Sequence, residues 1–257
     1  MFLSLISGSS GNASLIKNED TTILIDCGLS VKRLGEILDK IDINCNDIDA
    51  LLITHEHSDH IMGAGVLSRK FDIPIYATQE THEAMNVGPI KDHNIKTINP
   101  SLPFEIGSIG INSFKISHDA QNPVGYSLFD KDKKYSIVTD TGIITEEILK
   151  SVYNSDYVML EANHDIDMLM YGQYPFTLKK RISSDLGHMS NDYAANIAIN
   201  LLENNTKSIM LSHLSNNNNT PEIAYRTVYN ALFKYGAKID EDLRLCVANR
   251  YEVTSFI

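Results

Sequence analysis

Four potential metal ligands lie close together in the sequence, within the segment His55–His60. The segment reads His-Glu-His-Ser-Asp-His and follows an apolar run that is typical of a buried strand. Because side chains alternate along an extended chain, His55 and His57 would point to one side and could bind one ion. If the chain then turns into a helix, Asp59 and His60 would face a second ion. This spacing predicts a site for two metal ions.

A segment this short cannot complete the coordination of two ions, so further ligands must come from elsewhere in the chain. The candidates share one signature, a histidine or an aspartate just beyond an apolar strand. Three residues carry it: His118, Asp140 and His213. A set rich in imidazole favours zinc, and manganese or iron accepts the same mixture of histidine and aspartate. We therefore expect two divalent metal ions, with zinc as the favoured metal.

These ligands need a scaffold, and the sequence predicts short strands alternating with helices. Runs such as Leu51–Ile53 and Tyr157–Leu160 are apolar throughout, which is typical of strands covered on both faces of a sheet. Because no linker rich in Pro, Gly or Ser divides the chain, we expect one layered α/β domain over residues 1–257. The predicted strands are Phe2–Ile6, Ala13–Lys17, Thr22–Asp26, Ala50–Thr54, Ile111–Ile116, Gly125–Asp130, Lys134–Thr139, Asp156–Leu160, Ser208–Ser212 and Leu243–Ala248. The predicted helices are Val31–Lys40, Gly63–Lys70, Gln79–Met85, Glu146–Val152, Tyr193–Glu203 and Pro221–Tyr235.

The order of these motifs resembles the metallo-β-lactamase superfamily, and the resemblance extends over essentially the whole chain. The residues that carry it are Asp26, the segment His55–His60, His118, Asp140 and His213, each at a predicted strand end. The resemblance implies a four-layer αββα sandwich, in which two mixed β-sheets are flanked by helices. It also implies a two-metal site along the edge where the two sheets meet.

The same resemblance implies how the ligands divide between the two ions. It assigns three residues to each ion: His55, His57 and His118 to one, and Asp59, His60 and His213 to the other. Asp140 would bridge the ions, and Asp26 would hold the ligand loop from behind. Asp59 and Asp26 are therefore candidate catalytic residues as well.

A closer resemblance is to the YycJ/WalJ branch (also VicX) of that superfamily. The motifs that carry it are Ser7–Asn12 after the first strand, Leu160–Asp165, Gly187–Asn191 and His213–Pro221. Together these motifs are fairly specific, and every ligand position of the superfamily is kept. The resemblance implies nuclease activity on DNA more than on RNA, with exonucleolysis from the 5′ end as the favoured form.

His188 is the candidate catalytic residue outside the ligand set. It precedes a predicted helix, and nucleases similar to RNase Z place a histidine there that assists at the scissile phosphate. Phosphodiester cleavage needs a group near the leaving oxygen, which suits His188. The alternative is a histidine that only forms a hydrogen bond at a helix start.

The short spans from His118 to Asp140 and from Asp140 to His213 leave no room for the arm of RNase Z or the inserted domain of RNase J.

Candidate substrate-binding residues fall in three places in the sequence. The loop around Ser9, Ser10 and Asn12 could offer backbone N–H groups to a phosphate, or could be a plain turn. The basic run that contains Lys180 and Arg181 could meet a nucleic-acid backbone, or could be a solvated face. The remaining candidates are His164, which could line the cleft, and Tyr171, Tyr174 and Phe176, which could stack on bases or simply pack.

The overall charge limits how a nucleic acid could be held. The chain has 257 residues, with 22 Lys+Arg against 33 Asp+Glu and a formal net charge of −11. Because non-specific duplex binding relies on basic residues, this composition excludes a broad DNA-coating surface. It allows an enzyme whose positive charge is concentrated at bound metals. Two alternatives stay open at this stage, namely thioester or lactone hydrolysis similar to glyoxalase II, and a metal-bound regulatory protein without turnover.

The cysteines and the apolar runs bear on location. Cys27, Cys45 and Cys246 are few and widely spaced, which argues against a disulfide framework and fits a reducing cytoplasm. The apolar start of the chain lacks the basic region of a signal peptide, and no apolar stretch approaches the length of a membrane span. We therefore expect a cytoplasmic protein that does not enter the membrane, and the sequence leaves its oligomeric state open.

Overall fold

In a computed structural model, the described residues 1–100 and 102–256 form two mixed sheets of seven strands each. The strands of the first sheet are β1 (Phe2–Ile6), β2 (Ala13–Lys17), β3 (Thr22–Ile25), β4 (Ala50–Leu52), β5 (Ile75–Thr78), β6 (Ile95–Ile98) and β14 (Thr254–Ser255). Those of the second are β7 (Phe104–Ile106), β8 (Ile109–Lys115), β9 (Val124–Asp130), β10 (Lys133–Val138), β11 (Tyr157–Glu161), β12 (Ser208–Ser212) and β13 (Arg244–Val247). The strand orders are β14-β1-β2-β3-β4-β5-β6 and β13-β12-β11-β10-β9-β8-β7.

Each sheet combines a parallel half with an antiparallel half. Strands β3 to β6 pair in parallel, as do β10 to β13, while the hairpin-connected strands pair antiparallel. The helices are α1 (Val31–Leu38), α2 (Ser58–Ile61), α3 (Ala64–Phe71), α4 (Gln79–Ala84), α5 (Glu146–Val152), α6 (Ile166–Tyr171), α7 (Phe176–Ile182), α8 (Asn191–Glu203) and α9 (Pro221–Tyr235). Short 3₁₀ turns lie at Asp39–Ile41, Cys45–Asp47 and Asp92–Asn94.

Alternation along the strands creates the four layers. In β3, Ile23 and Ile25 enter the core between the two sheets, whereas Leu24 enters the core shared with α1 and α3. In β12, Met210 faces the other sheet, and its neighbour Leu211 faces α8 and α9. Since both faces are covered at the centre of each sheet, central strands such as β4 are apolar throughout, as the sequence indicated. The predicted αββα sandwich of two mixed sheets is confirmed.

Several elements escaped prediction because their sequence signals are weak. Strand β6 lies at a sheet edge, and three of its four residues are exposed, so its pattern is largely polar. Helix α7 has only exposed or half-buried residues and therefore lacks an apolar face of helical period. The predicted strand Thr22–Asp26 stops one residue early because Asp26 adopts a left-handed conformation, with φ of 59°.

The helices of the described ranges, 1–100 and 102–256, are too short or too polar to cross a bilayer. The three cysteines are free thiols; Cys27 and Cys45 are buried, and Cys246 is half-buried. Burial raises the pKa of the Cys27 thiol to about 12, which keeps it protonated at neutral pH.

Asp156 ties three strands of the second sheet together. Its carboxylate accepts hydrogen bonds from the backbone N–H of Lys134 at 2.9 Å and from Lys207 Nζ at 2.6 Å. Its backbone oxygen accepts from the N–H of Ser208 at 2.9 Å. Burial opposes its ionisation, but the bond from Lys207 and the other donors prevail and lower the pKa of the carboxyl.

We expect Asp156→Ala to lower the free energy of unfolding at pH 7 by about 2 kcal/mol, the scale of a hydrogen bond to a charged group. A carboxyl with a lowered folded-state pKa stabilises the fold above its unfolded pKa of about 3.9. That contribution is lost as the pH falls through the folded-state value. Urea denaturation should therefore show a difference in the free energy of unfolding between the variant and wild type at pH 7, and this difference should become smaller below about pH 4. Asp132→Ala, which removes an exposed carboxylate, is the control and should change little.

Candidate metal centre

The candidate ligands follow strand ends and lie in tight backbone turns. Asp26, Asp140 and His213 come just beyond β3, β10 and β12, with φ angles of 59°, 57° and 56°. Asp and His tolerate the left-handed region better than most residues, although it still costs some energy. Each turn bends the chain at the carboxyl end of a strand, where α/β folds place their ligand sites.

His55, His57 and His118 form the first candidate ligand set, one of four donor groups among the described residues, with one ring nitrogen of each within 4.8 Å of the others. The Nε2 atom of His118 lies 3.2 Å from Nδ1 of His57. The opposite nitrogen of His118, Nδ1, lies 3.2 Å from the carbonyl oxygen of Gly187 and can donate to it. Such a bond selects the tautomer that leaves Nε2 free to bind a metal.

Asp59, His60 and His213 form the second set, within the same limit of 4.8 Å. Nε2 of His60 lies 3.5 Å from Asp59 Oδ2 and 3.3 Å from Asp140 Oδ2. Asp140 also lies 2.9 Å from His213, between its Oδ1 and the ring Nδ1, and groups with His55 and His60. Asp140 therefore lies between the two sets, where the resemblance expected a bridging carboxylate.

Unpaired buried atoms show that these side chains suit a cation. Within the part of the chain that the structure describes, His55 Nε2, Asp140 Oδ2 and His213 Nε2 are buried without a hydrogen-bond partner. Leaving such groups unpaired is costly in a protein interior. All three belong to the clusters of donor atoms described above, and the donor set is imidazole and carboxylate. A divalent ion would satisfy them, so the residues fit the expected metals.

Backbone contacts hold the ligand helix α2 in place. The N–H of Asn12 donates to the Asp59 oxygen at 2.8 Å, and the N–H of Cys27 donates to the His60 oxygen at 2.7 Å. Gly28 passes so close that a Cβ atom there would lie 1.7 Å from the Asp59 oxygen. Only glycine fits this crossing, which brings the β3 loop against the helix that carries the second ligand set.

Asp26 supports the ligands from behind. Its Oδ2 lies 2.8 Å from Nδ1 of His60, and its Oδ1 accepts from the backbone N–H of Thr54 at 2.9 Å. The Thr54 hydroxyl donates to Asp26 and lies 3.0 Å from Nδ1 of His55. One buried carboxylate thus orients a histidine of each set, with Nε2 of both rings directed away from it.

Asp26→Asn should weaken metal binding about ten- to hundredfold, because the charged acceptor that orients His60 is lost. The change keeps the size of the side chain and its tolerance of a left-handed backbone. The measurement is titration of metal-free protein with Zn²⁺ in competition with a chelating dye. Asp20→Asn, an exposed aspartate, is the control. Equal zinc affinity in the Asp26 variant and wild type would contradict the role of Asp26 in orienting the ligands.

Electrostatics differ between the two sets. Burial and the neighbouring histidine His60 lower the pKa of His55, and burial lowers that of His118, so both are neutral as metal ligation requires. In the second set, burial opposes ionisation, but the carboxylates around His60, led by Asp140, raise its pKa well above the usual value. Burial likewise opposes ionisation of Asp59, yet His60 and His213 hold its pKa well below the usual range.

His188 lies beside both sets and pairs with a residue that the sequence analysis did not assign. Its ring centroid is 5.1 Å from that of His118 and 5.2 Å from that of His213. Its Nδ1 lies 2.7 Å from Oε1 of Glu161, the last residue of β11. Glu161 is fully buried, and its other oxygen accepts from the backbone N–H groups of Thr141 and Met189 at 2.9 and 3.3 Å.

The Glu161 carboxylate is ionised. Burial would raise its pKa, but His188 prevails and lowers it to about 2. The signal for Glu161 was present in the sequence, because a carboxylate at the end of an apolar strand is the signature that identified Asp140. It was missed because its partner is distant in sequence and is set by tertiary structure.

The predicted substrate-binding residues lie in different surroundings. Ser9 and Ser10 are exposed, whereas Asn12 is buried, with its Nδ2 3.1 Å from Nε2 of His60. His164 is also buried, and burial lowers its pKa to about 4, so it is neutral. The remaining two, Lys180 and Arg181, are exposed on α7, and Arg181 Nε donates to the carboxylate of Asp119.

The chain is similar in sequence and in fold to known proteins. Residues 21–213 match the sequence profile described as a beta-lactamase superfamily domain. Exodeoxyribonuclease WalJ of Streptococcus pneumoniae serotype 2 (strain D39 / NCTC 7466) is 40% identical over 245 residues, covering 94% of this chain and 91% of that protein. Exodeoxyribonuclease YycJ of Bacillus anthracis is 37% identical over 242 residues, covering 93% and 92%. The metallo-β-lactamase fold protein YhfI of Bacillus subtilis superposes with a TM-score of 0.74 at 18% identity, covering 99% of this chain and 100% of that one.

The fold and the clustered donor groups together imply divalent metal ions at this edge of the sandwich. Sequence similarity reaches across both sheets and extends beyond the matched domain at each end. The chain belongs to the metallo-β-lactamase superfamily, and within it to the YycJ/WalJ branch.

Proposed function

We propose that the protein is a dinuclear metal-dependent phosphodiesterase that degrades nucleic acid. The observation that carries the proposal is the Glu161–His188 pair next to two candidate ligand sets. A thioester releases a thiolate, which needs no proton, whereas the alkoxide oxygen that leaves a phosphodiester benefits from a nearby general acid. The relatives named exodeoxyribonucleases support the same conclusion.

His55, His57 and His118 would hold one ion, and Asp59, His60 and His213 the other, with Asp140 shared between them. When bound, such ions supply an activated water and neutralise charge on the phosphoryl oxygens. The imidazole-rich first set favours zinc, and manganese or iron would suit the mixed second set. The chain's own contribution is to hold these donors rigidly, which Asp26 and the contacts of α2 achieve.

His188 would act on the leaving oxygen. Its Nδ1 faces the ionised Glu161, so Nδ1 carries the proton that bonds to the carboxylate. Its ring is one-fifth exposed, which leaves Nε2 able to meet a substrate. Glu161 would stabilise the doubly protonated, positively charged ring, whose Nε2–H can then donate its proton to the departing oxygen and leave a neutral ring with the proton on Nδ1.

The same proposal includes the type of nucleic acid, the direction of cleavage and the location of the protein. DNA is favoured over RNA, with cleavage proceeding from the 5′ end. Ser9, Ser10, Asn12, His164, Lys180 and Arg181 would contact the substrate. Residues 1–257 would act as one domain, because both sheets contribute ligands. The three free thiols support a cytoplasmic location.

The experiment combines metal analysis with cleavage of end-labelled oligonucleotides. Purified protein is loaded with Zn²⁺ or Mn²⁺ and incubated with single- and double-stranded DNA and RNA carrying a label at either end. We expect two metals per chain, release of mononucleotides from the 5′ end of DNA, and loss of activity after chelation. Two bound metals with turnover of thioesters or lactones but of no nucleic acid would overturn the proposal in favour of the ester hydrolase.

A further inference from the structure

The segment 166–186, which we call the arm, has side chains that are mostly exposed or half-buried. It comprises α6, α7 and the loop that leads to His188. Leu169 is the one buried side chain of α6, and every residue of α7 is exposed or half-buried. Large apolar side chains are unusually exposed along the arm: Ile166, Met170, Tyr171, Phe176 and Leu186, of which Tyr171 is 88% and Phe176 75% exposed.

The exposed aromatic residues are held on a rigid backbone. Lys179 Nζ donates to the carbonyl oxygens of Met170 and Gly172, each at 2.7 Å, so both neighbours of Tyr171 are fixed to α7. The hydroxyl of Tyr174 accepts from Nδ2 of Asn217 at 3.0 Å, which ties the turn of the arm to the loop after His213. The backbone on either side of Tyr171 is thus hydrogen-bonded to α7, which lowers the entropic cost of ordering it when a ligand binds.

The arm is continuous with the metal centre. Arg181 of α7 bonds to Asp119, and Oδ1 of Asp119 lies 3.5 Å from Nε2 of the candidate ligand His118. The N–H of His188 donates to the oxygen of Ile182 at 2.8 Å, at the carboxyl end of α7. A nucleic-acid strand that reaches the metal centre would therefore pass α7 as it enters or leaves the site.

The charge of the arm suits a polyanion. It carries three basic residues against two acidic ones, in a chain with a formal net charge of −11. Because Arg181 is paired with Asp119, the cation that the arm offers is the exposed Lys180. Phe176 and Lys180 are four residues apart on α7 and so lie next to each other on one face. An exposed aromatic ring beside a cation is the pattern with which proteins hold single-stranded nucleic acid, by stacking on the base and pairing with the phosphate.

We propose that the arm is a stacking platform for unpaired bases of the strand whose phosphate enters the metal centre. This inference rests on the proposed nuclease function and adds the form of the substrate. Tyr171 and Phe176 stack on bases, and Lys180 pairs with the backbone between them. A self-association surface would also bury exposed rings, but the adjoining cation and the contact with the candidate ligands favour the nucleic acid.

The first test measures binding, which is independent of turnover. Metal-loaded protein is titrated against a labelled single-stranded DNA with phosphorothioate linkages, which hydrolyse slowly, and against the same backbone without bases. Wild type should bind the abasic strand at least about tenfold more weakly, given about 1–3 kcal/mol per stacked base. The double variant Tyr171→Ala/Phe176→Ala should bind both strands equally weakly. Phe233→Ala, which removes an exposed ring on α9, should behave as wild type.

The second test separates the arm from the chemistry. In the double variant the KM for single-stranded DNA should rise about tenfold or more, while the kcat at saturating DNA stays close to that of wild type, because the metal centre is intact. Failure of wild type to cleave any nucleic acid would refute the proposed function. The binding data would still show whether the arm stacks on unpaired bases. A double variant that keeps the base preference of wild type overturns the inference. The inference is also overturned if sedimentation shows that wild type is a dimer and the double variant a monomer, while the two bind DNA with equal affinity. That result would assign the arm to self-association.

Discussion

Asp140→Asn is expected to lower kcat/KM for nucleic-acid hydrolysis by about a thousandfold or more. Asp140 lies between the two ligand sets, within 2.9 Å of His213 and 3.3 Å of His60. Replacing its shared carboxylate with an amide removes a negative charge from both candidate sites. Two-metal catalysis supplies several kcal/mol of transition-state stabilisation, and about 4 kcal/mol corresponds to a thousandfold change in rate.

Asparagine suits this position because it accepts the left-handed backbone that Asp140 adopts. The variant should therefore fold, with a circular dichroism spectrum like that of wild type, but bind fewer than two metals per chain. Asp42→Asn is the matched control, since Asp42 is an exposed aspartate with a φ of 54°. Near-normal activity in the Asp140 variant at full metal loading would refute a shared ligand at this position.

His188→Ala is expected to lower kcat about 10²- to 10⁴-fold, the range for loss of a general acid or base. Metal content is measured in parallel, because His188 also lies in a group of possible donors with Asp140, Glu161 and His213; full metal content in the variant distinguishes a general acid from a ligand. If His188 protonates the leaving oxygen, the defect should nearly disappear with the p-nitrophenyl ester of thymidine 5′-phosphate, whose leaving group needs no proton. A merely structural histidine would slow both substrates equally.

Glu161→Gln tests the same pair from the other side. The amide can still bond to Nδ1 of His188, but it no longer stabilises a positively charged ring, so we expect an intermediate loss of kcat on DNA. His93→Ala is the matched control, because His93 forms an exposed pair with Asp72, with Nε2 3.0 Å from the carboxylate. A full DNA rate in both His188→Ala and Glu161→Gln would remove the pair from the reaction.

The candidate ligands could be identified from the sequence because their signals are local. The segment His55–His60 places four donors around one strand-to-helix turn, and such a turn brings neighbours together whatever surrounds it. Asp140 and His213 each end an apolar strand, and the carboxyl ends of strands meet at one edge of a layered fold. Strands that are apolar on both faces indicated a layered α/β protein, and the resemblance to the superfamily implied the αββα order of its layers.

Contacts between distant segments depended on the tertiary structure. Glu161 and His188 are joined across a gap that includes the whole arm, so no local spacing could pair them. The exposure of Tyr171 and Phe176 is likewise a property of how α6 and α7 pack, since an aromatic residue in a sequence is more often buried. The sequence by itself thus indicated candidate metal ligands, because ligand chemistry resides in residue type and local spacing. Only the folded chain decided which acid contacts His188 and which aromatic rings of the arm are exposed, because those arrangements are made through space.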